Sequence, residues 1–122
     1  MVICLEDVLH PARVDAIARL LDKPALFESG ETTAGTRASS AKSNLQGKST
    51  TLEIAGVIEK VREALLANSL FRTLAVPARV GRVLISRYEA GMSYDMHYDE
   101  PFIDDLRTDL SFTLFLADPA TY

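Results

Sequence analysis

Arg87-Tyr88-Glu89-Ala90-Gly91-Met92-Ser93-Tyr94-Asp95-Met96-His97-Tyr98-Asp99 carries a turn between two extended pieces. Upstream, Val80 to Tyr88 is β-branched and alternating, the pattern of a half-buried strand. Glu89-Ala90-Gly91 reads as the turn, and Ser93 to Asp99 as the second extended piece. Pro101 to Arg107 then reads as a polar loop. Thr108 to Ala117 reads as a third strand, with Leu110, Phe112, Leu114 and Leu116 on one face and Ser111, Thr113 and Phe115 on the other.

Further upstream the period changes from 2 to 3.6. Ile54, Val57, Ile58, Val61 and Leu65 form one stripe, predicting a helix over 52–67 with Glu59, Lys60 and Glu63 off the stripe. Asn68 and Ser69 are candidate terminators. Val14, Ile17, Ala18 and Leu21 predict another helix over 11–22, opened by Pro11 and closed by Pro24. Val2 to Leu5 reads as a short strand, and Leu26 to Arg37, with Gly30 and Gly35, as a hairpin or loop. The polar run 36–51 is expected to cross the domain as an ordered extended segment, anchored by side-chain hydrogen bonds from Asn44-Leu45-Gln46. Helices first and consecutive strands after them make an α+β layout, an antiparallel sheet packed on helices.

The 122 residues are of single-domain length, and 48% hydrophobic with 25% charged residues excludes disordered and low-complexity classes. A net charge of −4 offers no basic stripe, so nucleic acid is not an expected partner. Cys4 is the single cysteine, expected as a small buried apolar residue of the first strand. It allows no internal disulfide and no cysteine-rich zinc site. The first ten residues lack a basic n-region, and no apolar run approaches about 20 residues. A reduced, cytoplasmic setting without a membrane anchor is therefore the expectation.

There are two histidines. His10 precedes Pro11 at a helix start, and a structural role suits it. His97 differs, because Asp99 lies two residues on and side chains two apart on an extended chain share a face. One imidazole and one carboxylate are two of the three ligands of the facial triad of non-haem Fe(II) oxygenases. Around them stand Glu89, Asp95, Asp99, Glu100, Asp104, Asp105 and Asp109, with Arg107 the single Lys or Arg within 89–109. Such negative charge favours a cation, and it also suits a solvated acidic loop. Two other readings stay open. One is a non-catalytic module holding Ca2+ through Asp99, Glu100 and Asp104, though without the twelve-residue EF-hand spacing. The other is a purely structural α+β domain in which His97 is a satisfied core residue.

Residues 87–99 resemble the first half of the metal site of Fe(II)/2-oxoglutarate dioxygenases. Arg107-Thr108-Asp109-Leu110-Ser111-Phe112-Thr113-Leu114-Phe115-Leu116 is similar to the strand that follows that site in PKHD-type hydroxylases, relatives of prolyl 4-hydroxylase. Thr33-Ala34-Gly35 and Asn44-Leu45-Gln46 match the same family's N-terminal region. The resemblance implies a double-stranded β-helix, or jelly roll. Residues 1–76 would form an N-terminal helical and strand region, and 77–122 the first strands of the jelly roll. It implies His97 and Asp99 as Fe(2+) ligands and places Tyr88 and Tyr94 near the co-substrate. The implied activity hydroxylates a C–H bond of a small-molecule or peptidyl substrate. O2 and 2-oxoglutarate are consumed, succinate is released, and L-ascorbate keeps the iron reduced. The family pattern continues with a second metal His and a 2-oxoglutarate Arg that have no counterpart among residues 1–122. The expectation is therefore an N-terminal piece of a dioxygenase, inactive by itself.

Overall fold

The computed structural model describes residues 2–33 and 42–121. Helix α1 spans Pro11–Leu21. His10 starts it: its Nδ1 accepts the Ala12 N–H at 3.2 Å, so this histidine is a cap. Pro11 at the first helical position loses nothing, because its missing N–H would have had no partner inside the helix. Helix α2 spans Leu52–Ala67, and the Thr51 side chain caps it by accepting the Ile54 N–H. Asn68 closes α2 with its backbone N–H. Its side-chain oxygen then accepts the Phe71 N–H at 2.8 Å and opens α3, Ser69–Ala75. The sequence pattern did not reveal α3.

Seven short strands accompany the helices among the described residues: β1 Phe27–Ser29, β2 Lys42–Ser43, β3 Leu45–Gly47, β4 Ser86–Arg87, β5 Ser93–Tyr94, β6 Phe102–Ile103 and β7 Leu106–Arg107. They form three antiparallel units, ordered β1-β3-β4, β2-β5 and β6-β7. The result is an α+β protein with small antiparallel sheets. One extended run, 42–47, serves two of them. Its first half pairs with β5 and its second half lies between β1 and β4.

The core lies between α1, α2 and the β1-β3-β4 sheet. Ile54 and Val57 are fully buried, with Val61 and Leu65 completing the α2 stripe. They meet Ile17 and Leu21 of α1, Phe27 of β1, and Val83 and Ile85 before β4. Ile58, Leu114 and Leu116 pack at its margin, only partly buried. The Arg62 guanidinium ties α2 to the 80–85 segment by donating to the carbonyls of Val80 and Gly81.

Several expectations are corrected. Val2 to Leu5 makes no ladder and Cys4 is exposed; four apolar residues do not form a strand without a neighbour to bond. The Leu26 to Arg37 region is a 3-10 turn, β1 and a second 3-10 turn at Gly30–Thr33; residues 34–41 lie outside the described residues. Within Val80 to Tyr88 burial alternates as expected, but ladder pairing is confined to Ser86–Arg87. In Ser93 to Asp99 it is confined to Ser93–Tyr94. Residues 101–107 are a hairpin rather than a loop, turned at Asp104, whose φ of 53° is one that Asp tolerates. Thr108 to Ala117 forms no ladder, and Leu110, Phe112 and Phe115 are exposed. Asn44 does not anchor its segment through its side chain. Its amide is buried, and neither Oδ1 nor Nδ2 has a hydrogen-bond partner.

Candidate functional site

The site begins at the 89–92 turn. The Met92 N–H donates to the Glu89 carbonyl at 2.9 Å, and Gly91 takes a φ of 85°, which a glycine adopts without strain. The turn delivers β5 alongside β2, with Lys42 opposite Tyr94 and Ser43 opposite Ser93. Directly opposed residues of an antiparallel pair share a face. Accordingly the Lys42 ammonium lies over the Tyr94 ring, 5.3 Å from its centroid.

Tyr94 stacks on His97, with ring centroids 3.8 Å apart and planes inclined by 12°. Burial, first, and then the charge of Asp99 and the Tyr88 phenol hold the Tyr94 hydroxyl above the usual tyrosine range. The four residues singled out in the sequence, Tyr88, Tyr94, His97 and Asp99, are thus brought into one electrostatic neighbourhood.

His97 Nδ1 lies 2.7 Å from the Asp95 carbonyl oxygen. A carbonyl oxygen only accepts, so Nδ1 holds the proton and donates it. Nε2 faces Asp99 Oδ1 at 3.4 Å, an ion pair when the ring is protonated and two facing acceptors when it is neutral. Two acceptors facing each other repel unless a cation lies between them. Two atoms each about 2.1 Å from one metal ion can stand this far apart. The donor set therefore fits two positions of a first-row metal, with Asp95 fixing the ring tautomer as an outer-shell partner does. Among the described residues no group of three His, Cys, Asp or Glu side chains gathers, so the third position is not supplied by them.

Two of the remaining acids are paired elsewhere. Asp104 pairs with Arg82 at 3.2 Å and Asp109 with Arg107 at 2.9 Å. Asp99, Glu100 and Asp104 do not converge, which removes the geometry a Ca2+ loop requires. Arg87 also points away, donating to the Leu21 carbonyl at 2.7 Å and stacking over Phe27.

Sequence reasoning missed Lys42 as a neighbour of this site and the burial of Asn44 and Gln46 along the same run. All three are buried, while Ser43 between them is exposed and Leu45 only partly covered. The signal was present as polar residues at period 2 on an extended run.

Comparison with known proteins gives many relatives. The chain is 40% identical over 124 residues to a PKHD-type hydroxylase of Gloeothece citriformis, matching 100% of this chain and 56% of that protein. It is 45% identical over 96 residues to one of Parvibaculum lavamentivorans, covering 79% and 43% respectively. It is 39% identical over 122 residues to one of Maricaulis maris, covering 100% and 55%. The chain spans about half the length of the curated relatives it matches. No family model matches, and no solved structure does.

Proposed function

Since the chain belongs to the PKHD-type hydroxylase family, we propose that it forms the His-x-Asp half of an iron- and 2-oxoglutarate-dependent oxygenase site. The observation that carries this reading is the facing pair His97 Nε2 and Asp99 Oδ1, with Nδ1 tied to the Asp95 carbonyl. Residues 77–122 would then be the first strands of a jelly roll, and 1–76 the helical and strand region that supports them. The relatives' printed names say hydroxylase; 2-oxoglutarate, ascorbate and a cytoplasmic setting are parts of the proposal. No helix among the described residues is long and apolar enough to cross a membrane.

His97 and Asp99 would hold Fe(2+), which with 2-oxoglutarate and O2 supplies the oxidising power for C–H hydroxylation. The chain's own residues bind and orient. His97 offers a neutral imidazole whose ring is fixed twice, by Asp95 at Nδ1 and by the Tyr94 stack. Asp99 supplies the negative charge that a dication requires. Tyr94 and Tyr88 line the approach, with their apolar ring faces limiting water around the reacting centre.

The test is made in protein continued to the length of its relatives. Conversion of 2-oxoglutarate to succinate with Fe(II) and ascorbate is expected, and His97→Ala or Asp99→Ala should abolish it. Undiminished turnover in both variants would overturn the assignment. In the 122-residue chain, Co(II) should selectively broaden the NMR signals of Tyr94, His97 and Asp99. Uniform broadening over the acidic segment would also count against it.

A further inference from the structure

We propose that the groove between α1 and α2 binds an aliphatic monocarboxylate, its head held by Arg13 and Lys60 and its chain laid along α1.

The groove has a volume of 620 Å³, within the range of roughly 300–1,000 Å³ that small-molecule clefts occupy. It follows α1 from His10 to Leu20, roughly 15 Å at the helical rise of about 1.5 Å per residue. Its floor is apolar. Ala12 and Ala16 lie one turn apart and are too short to fill the space, and beside them are Ile17, 2% exposed, and half-buried Leu20. An alkyl chain on that floor removes apolar surface from water.

The rim is charged. Arg13, Lys60 and Glu63 line it. Among the described residues none of the three enters an ion pair, whereas Arg62, Arg82, Arg87 and Arg107 each face a carboxylate. Two cations against one carboxylate leave the groove a net charge of +1, in a chain whose net charge is −4. His10 adds a donor without adding charge. Its Nδ1 accepts the Ala12 N–H at 3.2 Å, so Nδ1 carries no proton and Nε2 does. His10 and Arg13 stand at the start of α1, where the helix dipole also favours an anion. The head therefore belongs at that end and the chain runs toward Leu20. Glu63 opposes a second negative charge, which selects a carboxylate over the near-dianion of a phosphate monoester.

The groove shares no residue with the His97–Asp99 pair, so its ligand is independent of the proposed iron chemistry. The 122-residue chain, dilute enough to be monomeric, is titrated with octanoate, octan-1-ol and butyrate and followed by 15N NMR. Octanoate should shift the backbone amides of 12–20 and 60–63 saturably. Octanol lacks the charge and should bind about tenfold more weakly or worse. Butyrate lacks the longer chain and should lose about as much. Arg13→Gln combined with Lys60→Gln should weaken octanoate by about tenfold or more. Glu63→Gln should tighten it. Ala16→Leu fills the floor, keeps every charge and should weaken it as well. All four side chains are exposed, and thermal melts establish that each variant is folded. Octanol or butyrate binding as tightly as octanoate would overturn the proposal. So would unchanged octanoate affinity in the folded double variant or in folded Ala16→Leu, shifts centred on the exposed Phe102, Leu110 and Phe115 instead of α1, or no saturable shift.

Discussion

Single residues here do work that their type alone does not announce. Asn68 ends one helix and begins another, His10 is a cap, and Gly30 makes room for the Asn44 amide. Gly30→Ala tests the last of these. The new methyl would meet Asn44 Oδ1 and also its backbone oxygen, at 3.2 Å. A buried amide has nowhere to swing, so overpacking should cost about 1–3 kcal/mol, read as a lower urea midpoint. Lys42 offers a second test. Burial lowers its pKa below 10.5. The unfolded chain therefore binds more protons between the lowered value and 10.5, and stability should rise with pH across that window. Urea titrations of wild type against Lys42→Met should show the difference growing in favour of wild type up to 10.5. A pH-independent difference would mean that Lys42 keeps its solution pKa.

At the scale of elements, α1 and α2 were legible because a 3.6 period and a capping residue agree. The α2 stripe is graded by burial, which refines what it is worth. Ile54→Ala should cost about 2–5 kcal/mol because Ile54 is fully buried. Ile58, expected on the same stripe, is only partly covered, and Ile58→Ala should cost clearly less. Equal losses in thermal melts would contradict that ranking. Helix α3 is not legible in the sequence because Ser69–Ala75 is too short to display a period, and its cap Asn68 equally suits a helix end. It ends in an unfavourable way. Val76 has a φ of 43°, the left-handed region that a β-branched side chain tolerates poorly, and its side chain is 77% exposed. Val76→Asn should therefore stabilise by about 1 kcal/mol, because Asn accepts that conformation and no burial is lost. An unchanged or lowered melting temperature would show that the αL turn costs little here. The strands were less legible for a general reason. Alternation in Thr108 to Ala117 says which side chains share a face, whereas a ladder also needs a partner strand, and the pattern of one segment cannot supply it. The His97–Asp99 pair was legible because period 2 is a local property. The buried polar residues at 42, 44 and 46 were not, because a polar run reads as surface until its neighbours are known.

On the scale of the whole molecule, the two halves are finished unequally. The helices close over Ile54, Val57 and Ile17, but the later half leaves large apolar side chains in water. Phe102, Leu110 and Phe115 are between 63% and 68% exposed, with Tyr88, Leu84 and Phe112 also uncovered. Scattered exposed apolar residues are ordinary on protein surfaces; six within one stretch of about thirty residues amount to a local excess of apolar surface in water. The 108–117 segment adds extended backbone without ladder partners, the kind of edge that other chains can extend. The 122-residue chain should therefore self-associate as its concentration rises from micromolar toward millimolar, with sedimentation coefficients climbing above the monomer value. The association is apolar, so added sulfate should strengthen it, whereas charge-driven pairing would weaken with salt. Leu110→Lys with Phe115→Lys should suppress it while leaving the thermal midpoint nearly unchanged, because neither side chain contributes to the core. A chain that stays monomeric across that range would mean that these side chains are covered in solution. A double variant that loses its cooperative melt would place Leu110 and Phe115 in the folded core after all.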